Sequence, residues 1–284
     1  MDIIYRYDTF QAIEARRCST IEDAIEALRQ GNRRFVAMAE RVQAEILGGG
    51  EKGPIVIPSN PLSLGFSLAP GQAPVQSPFG IVLGCSDARA PIELIFDHSH
   101  NELFVVRVAG NVLGTECLGS IEYGARNFVD SVRVVVVLGH TSCGAVGAAV
   151  DLYLDPDAYG AIAVTHSLRS IVDRISVVVR VADKALARRF GDGVSGQPGY
   201  KAALWQMTVF LNAALTAHDL ARELKGTDDN QMDVVYGVYD MSSQRVEAAP
   251  GGEACFANAP RNSADFTRMA DSLVATLSAG KLAG

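Results

Sequence analysis

The 284-residue sequence has few of the features that mark nucleic-acid-binding, secreted or membrane proteins. It contains no run of basic residues, and its formal net charge of −7 argues against a basic surface for nucleic acid. Its first residues show no basic stretch followed by an apolar one, so we expect no signal peptide. The longest uncharged helical pattern, Ala202 to Ala217, contains polar residues and is too short to span a membrane. We therefore expect a cytoplasmic protein without membrane or nucleic-acid partners, in which this segment is a buried or interface helix.

Cysteine is also sparse, and its pattern excludes a disulfide scaffold. The sequence has five cysteines, an odd number, and no C-x-x-C pair. This usage is typical of a cytosolic protein, in which thiolates can bind metal ions. They are Cys18, Cys85, Cys117, Cys143 and Cys255.

Short apolar runs alternate with helical patterns in the middle of the chain. Residues 81–84, 103–108 and 132–138 are apolar runs of the kind found in strands that are buried on both faces. Residues 118–128 and 144–154 have helical periodicity and follow the second and third runs. The alternation predicts an α/β fold with a mostly parallel β-sheet flanked by helices.

Further segments precede and follow the predicted α/β core. Ser19 and Glu22 have the spacing of a capping box, which predicts the start of an N-terminal helix. Longer helices are predicted for 168–190 and 201–224. We expect four parts: an N-terminal helical arm at 1–47, a long Gly/Pro-rich connection at 48–75, an α/β core at 76–248 and a C-terminal extension at 249–284.

Two motifs that can carry chemistry each follow an apolar strand directly. The first is Cys85-Ser-Asp-Ala-Arg89, and the second is Gly139-His140-Thr-Ser-Cys143-Gly144. The carboxyl ends of parallel strands share one edge of a sheet, where binding sites form. We therefore expect Cys85, His140 and Cys143 to converge.

Two sulfurs and one imidazole form a donor set that suits zinc. Three protein ligands leave one tetrahedral position free, which is typical of catalytic rather than structural zinc sites. Cys143 should lie in the first turn of a helix, where the helix N-terminus favours a thiolate. The sequence thus predicts one catalytic zinc ion per chain, bound by Cys85, His140 and Cys143.

Asp87 and Arg89 are the candidate catalytic residues beside this site. An aspartate near zinc-bound hydroxide can accept its proton in a hydrogen bond and so direct an oxygen lone pair at a substrate. Arg89 can pair with Asp87, orient it and keep it ionised. Asp87 could instead bind zinc and close the fourth position, and the sequence leaves both states open.

These motifs resemble the signature of the β-class carbonic anhydrases, in which C-S-D-x-R is followed by G-H-x-x-C-G-A. Further resemblances occur at residues 31–35, 104–111, 120–123 and 235–240, so that the match covers most of 20–247. The resemblance implies a zinc lyase that hydrates carbon dioxide to bicarbonate by attack of zinc-bound hydroxide. It also implies pockets at subunit interfaces, and hence a homodimer or a larger homo-oligomer.

The resemblance further implies substrate-binding residues. Gln76 precedes the first core strand, where the family carries a glutamine that binds substrate. Phe104 and Tyr123 are candidate pocket residues, and Gly144 completes the second motif beside the zinc site.

Two other functions share these motifs. A related zinc hydrolase that acts on carbon disulfide would use the same ligands behind a narrower entry. A non-catalytic zinc-binding assembly protein of the same fold would not need Asp87, Arg89 or Gln76. Outside the motifs, we interpret His98 and His100 as residues of a solvated loop.

Overall fold

The computed structural model describes residues 3–7, 17–49, 53–59, 69–162, 164–225 and 232–277. The strands are β1 (Ile3–Tyr7), β2 (Ile55–Ser59), β3 (Gly80–Gly84), β4 (Leu103–Arg107), β5 (Val134–His140), β6 (Asp233–Tyr239), β7 (Val246–Glu247) and β8 (Ala257–Asn258). The helices are α1 (Ile21–Ile46), α2 (Ile92–Ile95), α3 (Thr115–Asn127), α4 (Gly144–Leu154), α5 (Tyr159–Ile162), α6 (His166–Phe190), α7 (Tyr200–Glu223) and α8 (Ser263–Thr276).

The main sheet is mostly parallel, which confirms the predicted fold class. Its strands lie in the order β4-β3-β5-β6, all parallel, and β7 and β8 both pair antiparallel with β6. In the β3–β5 register Gly84 lies opposite Leu138, so the carboxyl ends of these two strands lie side by side. The sheet thus brings the two sequence motifs to one edge.

Helices cover both faces of the sheet, so its central strand has no exposed residue. All seven residues of β5 are buried. Val135 and Val137 belong to the core cluster that also contains residues of α3, α4, α6, α7 and α8, whereas Val134 and Val136 belong to the cluster under α1 and α2. This alternation follows from the two-residue period of a strand. Burial on both faces explains why the strand reads as an unbroken apolar run.

The capping box of helix α1 lies one residue later in the sequence than predicted. Thr20 is the N-cap, and its hydroxyl accepts the backbone N–H of Asp23 while the Asp23 carboxylate accepts the Thr20 N–H. The prediction of Ser19 and Glu22 for this box is therefore wrong. Ser19/Glu22 and Thr20/Asp23 have the same spacing. Which pair forms the capping box depends on the residue at which the extended backbone becomes helical, and sequence spacing does not determine that residue.

The N-terminal arm packs closely on the core at a glycine. A Cβ at Gly31 would lie only 1.7 Å from the carbonyl oxygen of Phe96. Beside it, the buried Asn32 side chain donates to the carbonyl of Ile95 and accepts the N–H of Val246. These contacts tie α1 to both the β3–β4 connection and the β6–β7 hairpin.

Three other predictions can be compared with the structure. Helix α7 is buried along most of its length, as the uncharged segment predicted, and no helix among the described residues is long and apolar enough to cross a membrane. The connection at 48–75 contains a strand, β2, which pairs in parallel with β1. The interpretation of His98 as solvated is wrong: this residue is 4% exposed, and its ring contacts the Glu102 carboxylate and the Ala27 carbonyl. Residues 1–2, 8–16, 50–52, 60–68, 163, 226–231 and 278–284 of the predicted parts lie outside the described residues.

Candidate metal centre

The three predicted ligands converge at the carboxyl edge of the sheet. Cys85 follows the last residue of β3, His140 is the last residue of β5, and Cys143 is the N-cap residue of α4. All three are buried, and their ligand atoms lie within 4.8 Å of one another. Among the described residues this is the one group of three or more potential metal ligands.

The spacing of the donor atoms fits a zinc ion. The Cys85 and Cys143 sulfurs are 4.0 Å apart. Two sulfurs at about 2.3 Å from a tetrahedral zinc ion would be separated by about 3.8 Å. The donor set, two sulfurs and one imidazole, is also the set that zinc prefers.

The imidazole of His140 is oriented for metal binding. Its Nδ1 lies 3.0 Å from the Thr141 carbonyl oxygen. A carbonyl can only accept, so Nδ1 carries the proton and Nε2 keeps its lone pair. Nε2 is buried and has no hydrogen-bond partner among the described residues. A buried acceptor without a partner is costly, and a metal ion in the cluster would satisfy it.

A hydrogen bond couples the two cysteine sulfurs, which are 4.0 Å apart. This bond is the largest cause that lowers the pKa of the Cys85 thiol, to about 4, and the backbone of Asp87 and Gly110 acts in the same direction. The same bond and burial raise the pKa of the Cys143 thiol above its ordinary value. The bond therefore favours ionisation of one thiol of the pair, and both thiols must lose their protons when a metal binds.

Asp87 lies beside the cluster and is held by Arg89. Arg89 Nε donates to Asp87 Oδ1 at 3.0 Å and Nη2 donates to Oδ2 at 2.8 Å. These bonds are the largest cause that holds the pKa of Asp87 well below its usual range. Asp87 Oδ2 is 3.9 Å from His140 Nε2. An ionised carboxylate thus faces the point where the three ligand atoms meet.

Arg107, which lies within the resemblance at 104–111, supports the first ligand loop, a role that the sequence did not predict. This last residue of β4 donates from Nε to the Cys85 carbonyl at 2.9 Å and from Nη2 to the Asp87 carbonyl at 2.6 Å. A charged residue at the end of the apolar run 103–108 was the available signal. Because β4 neighbours β3, Arg107 can hold the backbone on both sides of Ser86.

A second network fixes the loop that follows His140. The Thr141 hydroxyl donates to Asp240 Oδ1 at 3.2 Å and accepts the N–H of Met241. Asp240 also accepts from Ser242 and Ser243. The carbonyl that orients His140 therefore belongs to a residue anchored to the end of β6.

The other predicted site residues lie farther toward the surface. Gln76 is exposed in the segment before β3, and Tyr123 is 55% exposed. The rings of Tyr123 and the half-buried Phe104 are 6.4 Å apart, and both contact Phe128. Gly144 is exposed, and a Cβ there would meet no atom within 4 Å. The structure thus brings Phe104 and Tyr123 together and leaves open space at Gly144 beside the Cys143 ligand.

Fold and site together define an α/β protein with a buried Cys₂His centre at the carboxyl edge of its parallel sheet. The sequence model of the carbonic anhydrase family matches residues 80–246, more than half of the chain. Carbonic anhydrase 2 of Mycobacterium tuberculosis is 37% identical over 172 residues, which are 61% of this chain and 67% of that protein. The carbonic anhydrase of Mycolicibacterium smegmatis is 35% identical over 162 residues, which are 57% of this chain and 66% of that protein.

Solved structures give a more distant likeness. A β-carbonic anhydrase of Coccomyxa in complex with acetazolamide has a TM-score of 0.44 at 23% identity, covering 61% of this chain and 72% of that one. A tetrameric β-carbonic anhydrase of Sordaria macrospora has a TM-score of 0.46 at 17% identity, with coverage of 64% and 84%. From the family match and the sequence motifs, the chain belongs to the β-class carbonic anhydrase family.

Proposed function

We propose that this protein catalyses the reversible hydration of carbon dioxide to bicarbonate and a proton. The observation that carries the proposal is the buried Cys85, His140 and Cys143 cluster with an ionised Asp87 beside it. One zinc ion per chain would be held by these three ligands. When bound, zinc supplies a Lewis acid that makes hydroxide available near neutral pH.

Asp87 orients the nucleophile in this proposal. Its carboxylate is acceptor-only when ionised, so it would accept a hydrogen bond from the O–H group of the nucleophile. A lone pair of that oxygen would then remain free to attack carbon dioxide. Arg89 occupies both carboxylate oxygens and thereby favours this arrangement over direct binding of Asp87 to the metal.

We assign the substrate contacts to Gly144, beside Cys143, and to Gln76, Phe104 and Tyr123. Gly144 leaves room for a small planar molecule next to Cys143. Phe104 and Tyr123 supply an aromatic wall, and Gln76 donates a hydrogen bond to a substrate oxygen. Gln76 and Tyr123 are both well exposed in the single chain, which supports their meeting a substrate at the boundary between two copies.

The same exposure supports self-association. We propose a homodimer or a larger homo-oligomer, as in the tetrameric Sordaria macrospora enzyme. Light scattering should give a mass at least twice 30.2 kDa. A single species of one-chain mass at assay concentration would refute this part.

The overall division of the chain and its location complete the proposal. We assign the chemistry to the α/β core at 76–248, and assembly or stability to the arm (1–47), the connection (48–75) and the extension (249–284). The cysteine pattern supports a cytoplasmic location, since thiol ligands remain reduced there.

Parallel assays on two substrates test the proposed reaction. Purified protein with measured zinc content is assayed for carbon dioxide hydration and for carbon disulfide hydrolysis. We expect hydration with little or no hydrolysis. Hydrolysis of carbon disulfide without hydration would replace the proposed substrate, and zinc binding without either activity would favour a non-catalytic zinc protein.

A further inference from the structure

Helix α7 directs one polar side chain at the residue before α4, Cys143, and another at the segment after β4, where Gly110 hydrogen-bonds to Cys85. They are Trp205 and Asn212, which lie seven residues apart in the uncharged segment of the helix. Seven residues are almost two turns, so both side chains lie on one face, about 10 Å apart along the axis. Neither residue belongs to the motifs that define the metal centre.

Trp205 holds the backbone of Cys143. Its indole Nε1–H donates to the Cys143 carbonyl at 3.1 Å. The same oxygen accepts the N–H of Gly147, which forms the first turn of α4. The indole also packs on Gly147, where a Cβ would lie 2.9 Å from Cζ2 of the ring. Trp205 thus fixes both the ligand residue and the start of its helix.

Asn212 holds the residue that hydrogen-bonds to Cys85. Its Nδ2 donates to the Gly110 carbonyl at 2.8 Å, and the Gly110 N–H lies 3.3 Å from the Cys85 sulfur. Gly110 has a φ of 68°, a left-handed conformation that favours glycine. Asn212 is 3% exposed, so its amide bond to Gly110 is shielded from water.

The helix that carries both side chains is well fixed. Ala203, Leu204 and Met207 have no exposed surface. Thr208, another buried polar residue of α7, donates its hydroxyl to the Leu204 carbonyl of its own helix. Trp205 and Asn212 instead donate to Cys143 and Gly110, which lie 62 and 102 positions away in sequence.

We propose that Trp205 and Asn212 are positioning residues that hold the Cys143 and Cys85 sulfurs at the separation a metal ion needs. This inference rests on the proposed zinc site. Without the indole N–H, the Cys143 loop would keep only its own helix bond. Without the Asn212 amide, Gly110 could move away from the Cys85 sulfur. In either case the two sulfurs would be held less firmly.

Zinc release from the folded protein tests the proposal. Trp205→Phe removes the N–H donor and keeps an aromatic ring, and Asn212→Leu removes the amide at similar volume. Thr208→Val is the matched control, because it removes a buried hydrogen bond of α7 that does not reach the site. We expect the first two variants to bind zinc about 10–100-fold more weakly than wild type, as typical for residues that support metal ligands, and therefore to release it faster to a chromophoric chelator. Thr208→Val should release zinc at the wild-type rate.

A spectroscopic signature separates positioning from a general loss of stability. Cobalt replaces zinc in each protein, and the visible bands of the Cys₂His centre are recorded. Trp205→Phe and Asn212→Leu should shift these bands, whereas Thr208→Val should not. Wild-type bands and wild-type zinc release in both variants would overturn the inference.

Two further observations keep the test decisive. Trp205 is the single tryptophan in the sequence, so the intrinsic fluorescence of the wild-type protein reports on it even where a variant fails to fold. Its emission should change when zinc is removed, and an unchanged emission would overturn the assignment of Trp205. A wild-type protein that binds no zinc would instead overturn the proposed function on which this inference rests.

Discussion

Arg89 donates hydrogen bonds to both carboxylate oxygens of Asp87: Nε lies 3.0 Å from Oδ1, and Nη2 lies 2.8 Å from Oδ2. The backbone N–H of Arg89 adds a third bond, to Oδ1 at 2.9 Å. Nη2 also contacts the carbonyl of Ser142 at 3.3 Å, which links the two motifs across the site. These bonds hold the Asp87 carboxylate in one position beside the ligand cluster and keep it ionised.

Removing either member of this pair should stop catalysis without removing the metal. Neither side chain belongs to the ligand cluster, so Asp87→Ala and Arg89→Ala should keep about one zinc per chain. Both should lower kcat/KM for carbon dioxide hydration by about 100-fold, because the nucleophile loses its oriented acceptor. Zinc analysis and stopped-flow assay of each variant measure the two effects.

The Arg34 and Asp97 ion pair supplies a control for this experiment. It is another arginine–aspartate pair of this chain, and both side chains are partly exposed. Arg34→Ala should leave turnover within about twofold of wild type. Wild-type turnover in Asp87→Ala or Arg89→Ala would remove the pair from the mechanism.

Activity should rise with pH through the alkaline side of neutrality, and Asp87 should not be the titrating group. Arg89 lowers the pKa of Asp87 below its usual value, so the carboxylate stays ionised from about pH 4 upward. Its ionisation favours the folded state above the unfolded-state pKa, and this contribution disappears as the pH falls through the lower folded-state pKa. We therefore expect the change near neutrality to come from the metal centre. Two thiolates would cancel the charge of a zinc ion, so water there would be less acidic than at a His₃ centre.

The pH–rate profile of carbon dioxide hydration measures this directly, in buffers that do not limit proton transfer. Arg89→Gln provides a second profile, in which Asp87 can leave Arg89 for the metal more easily. We expect the loss of activity at low pH to become larger in this variant. A flat profile, or one that climbs toward acid, would contradict hydroxide as the nucleophile.

A methyl group at Gly147 should disturb the second ligand loop through Trp205. Alanine normally stabilises a helix interior by up to about 1 kcal/mol relative to glycine. Here its Cβ would lie 2.9 Å from the indole ring, so we expect Gly147→Ala to destabilise the protein by about 1–3 kcal/mol. Denaturant unfolding of the zinc-loaded protein gives the change in the free energy of unfolding.

Gly119→Ala is the matched control, because this position in α3 has no atom within 4 Å of an added Cβ. It should be neutral or slightly stabilising. Equal stabilisation by both substitutions would mean that the Trp205 ring moves aside without a loss of stability and does not constrain the start of α4.

The core strands could be predicted from the sequence because strands that are buried on both faces consist mainly of apolar residues. Strand β5 is buried on both faces and is therefore apolar from Val134 to Leu138, and the α4 boundaries predicted from periodicity match the structure. Ends of elements were harder to place. Ser19/Glu22 and Thr20/Asp23 offer equivalent capping spacings, and only the backbone path selects the second pair.

The convergence of the candidate ligands could be predicted from the sequence, but the residues that hold their loops in place could not. Cys85 and His140 stand at strand ends, and the parallel sheet dictates that such ends meet. Arg107, Trp205 and Asn212 act through bonds to backbone carbonyls of distant residues, and although Arg107 lies within the resemblance at 104–111, the sequence does not show which carbonyl each residue binds. The polar Asn212 in an uncharged helix was visible in the sequence, but the carbonyl it binds depends on how α7 packs against the sheet.

Reloading metal-free protein with zinc tests the central claim most directly. Zinc is added in steps, and bound zinc and the stopped-flow rate of carbon dioxide hydration are measured on the same sample, with Cys143→Ser as the variant that lacks one ligand. Turnover should rise in proportion to bound zinc, level off at about one zinc per chain and remain at the buffer rate in Cys143→Ser, which should lose most of the metal. Hydration no faster than buffer with one zinc bound, or full activity and full zinc retention in Cys143→Ser, would contradict the account.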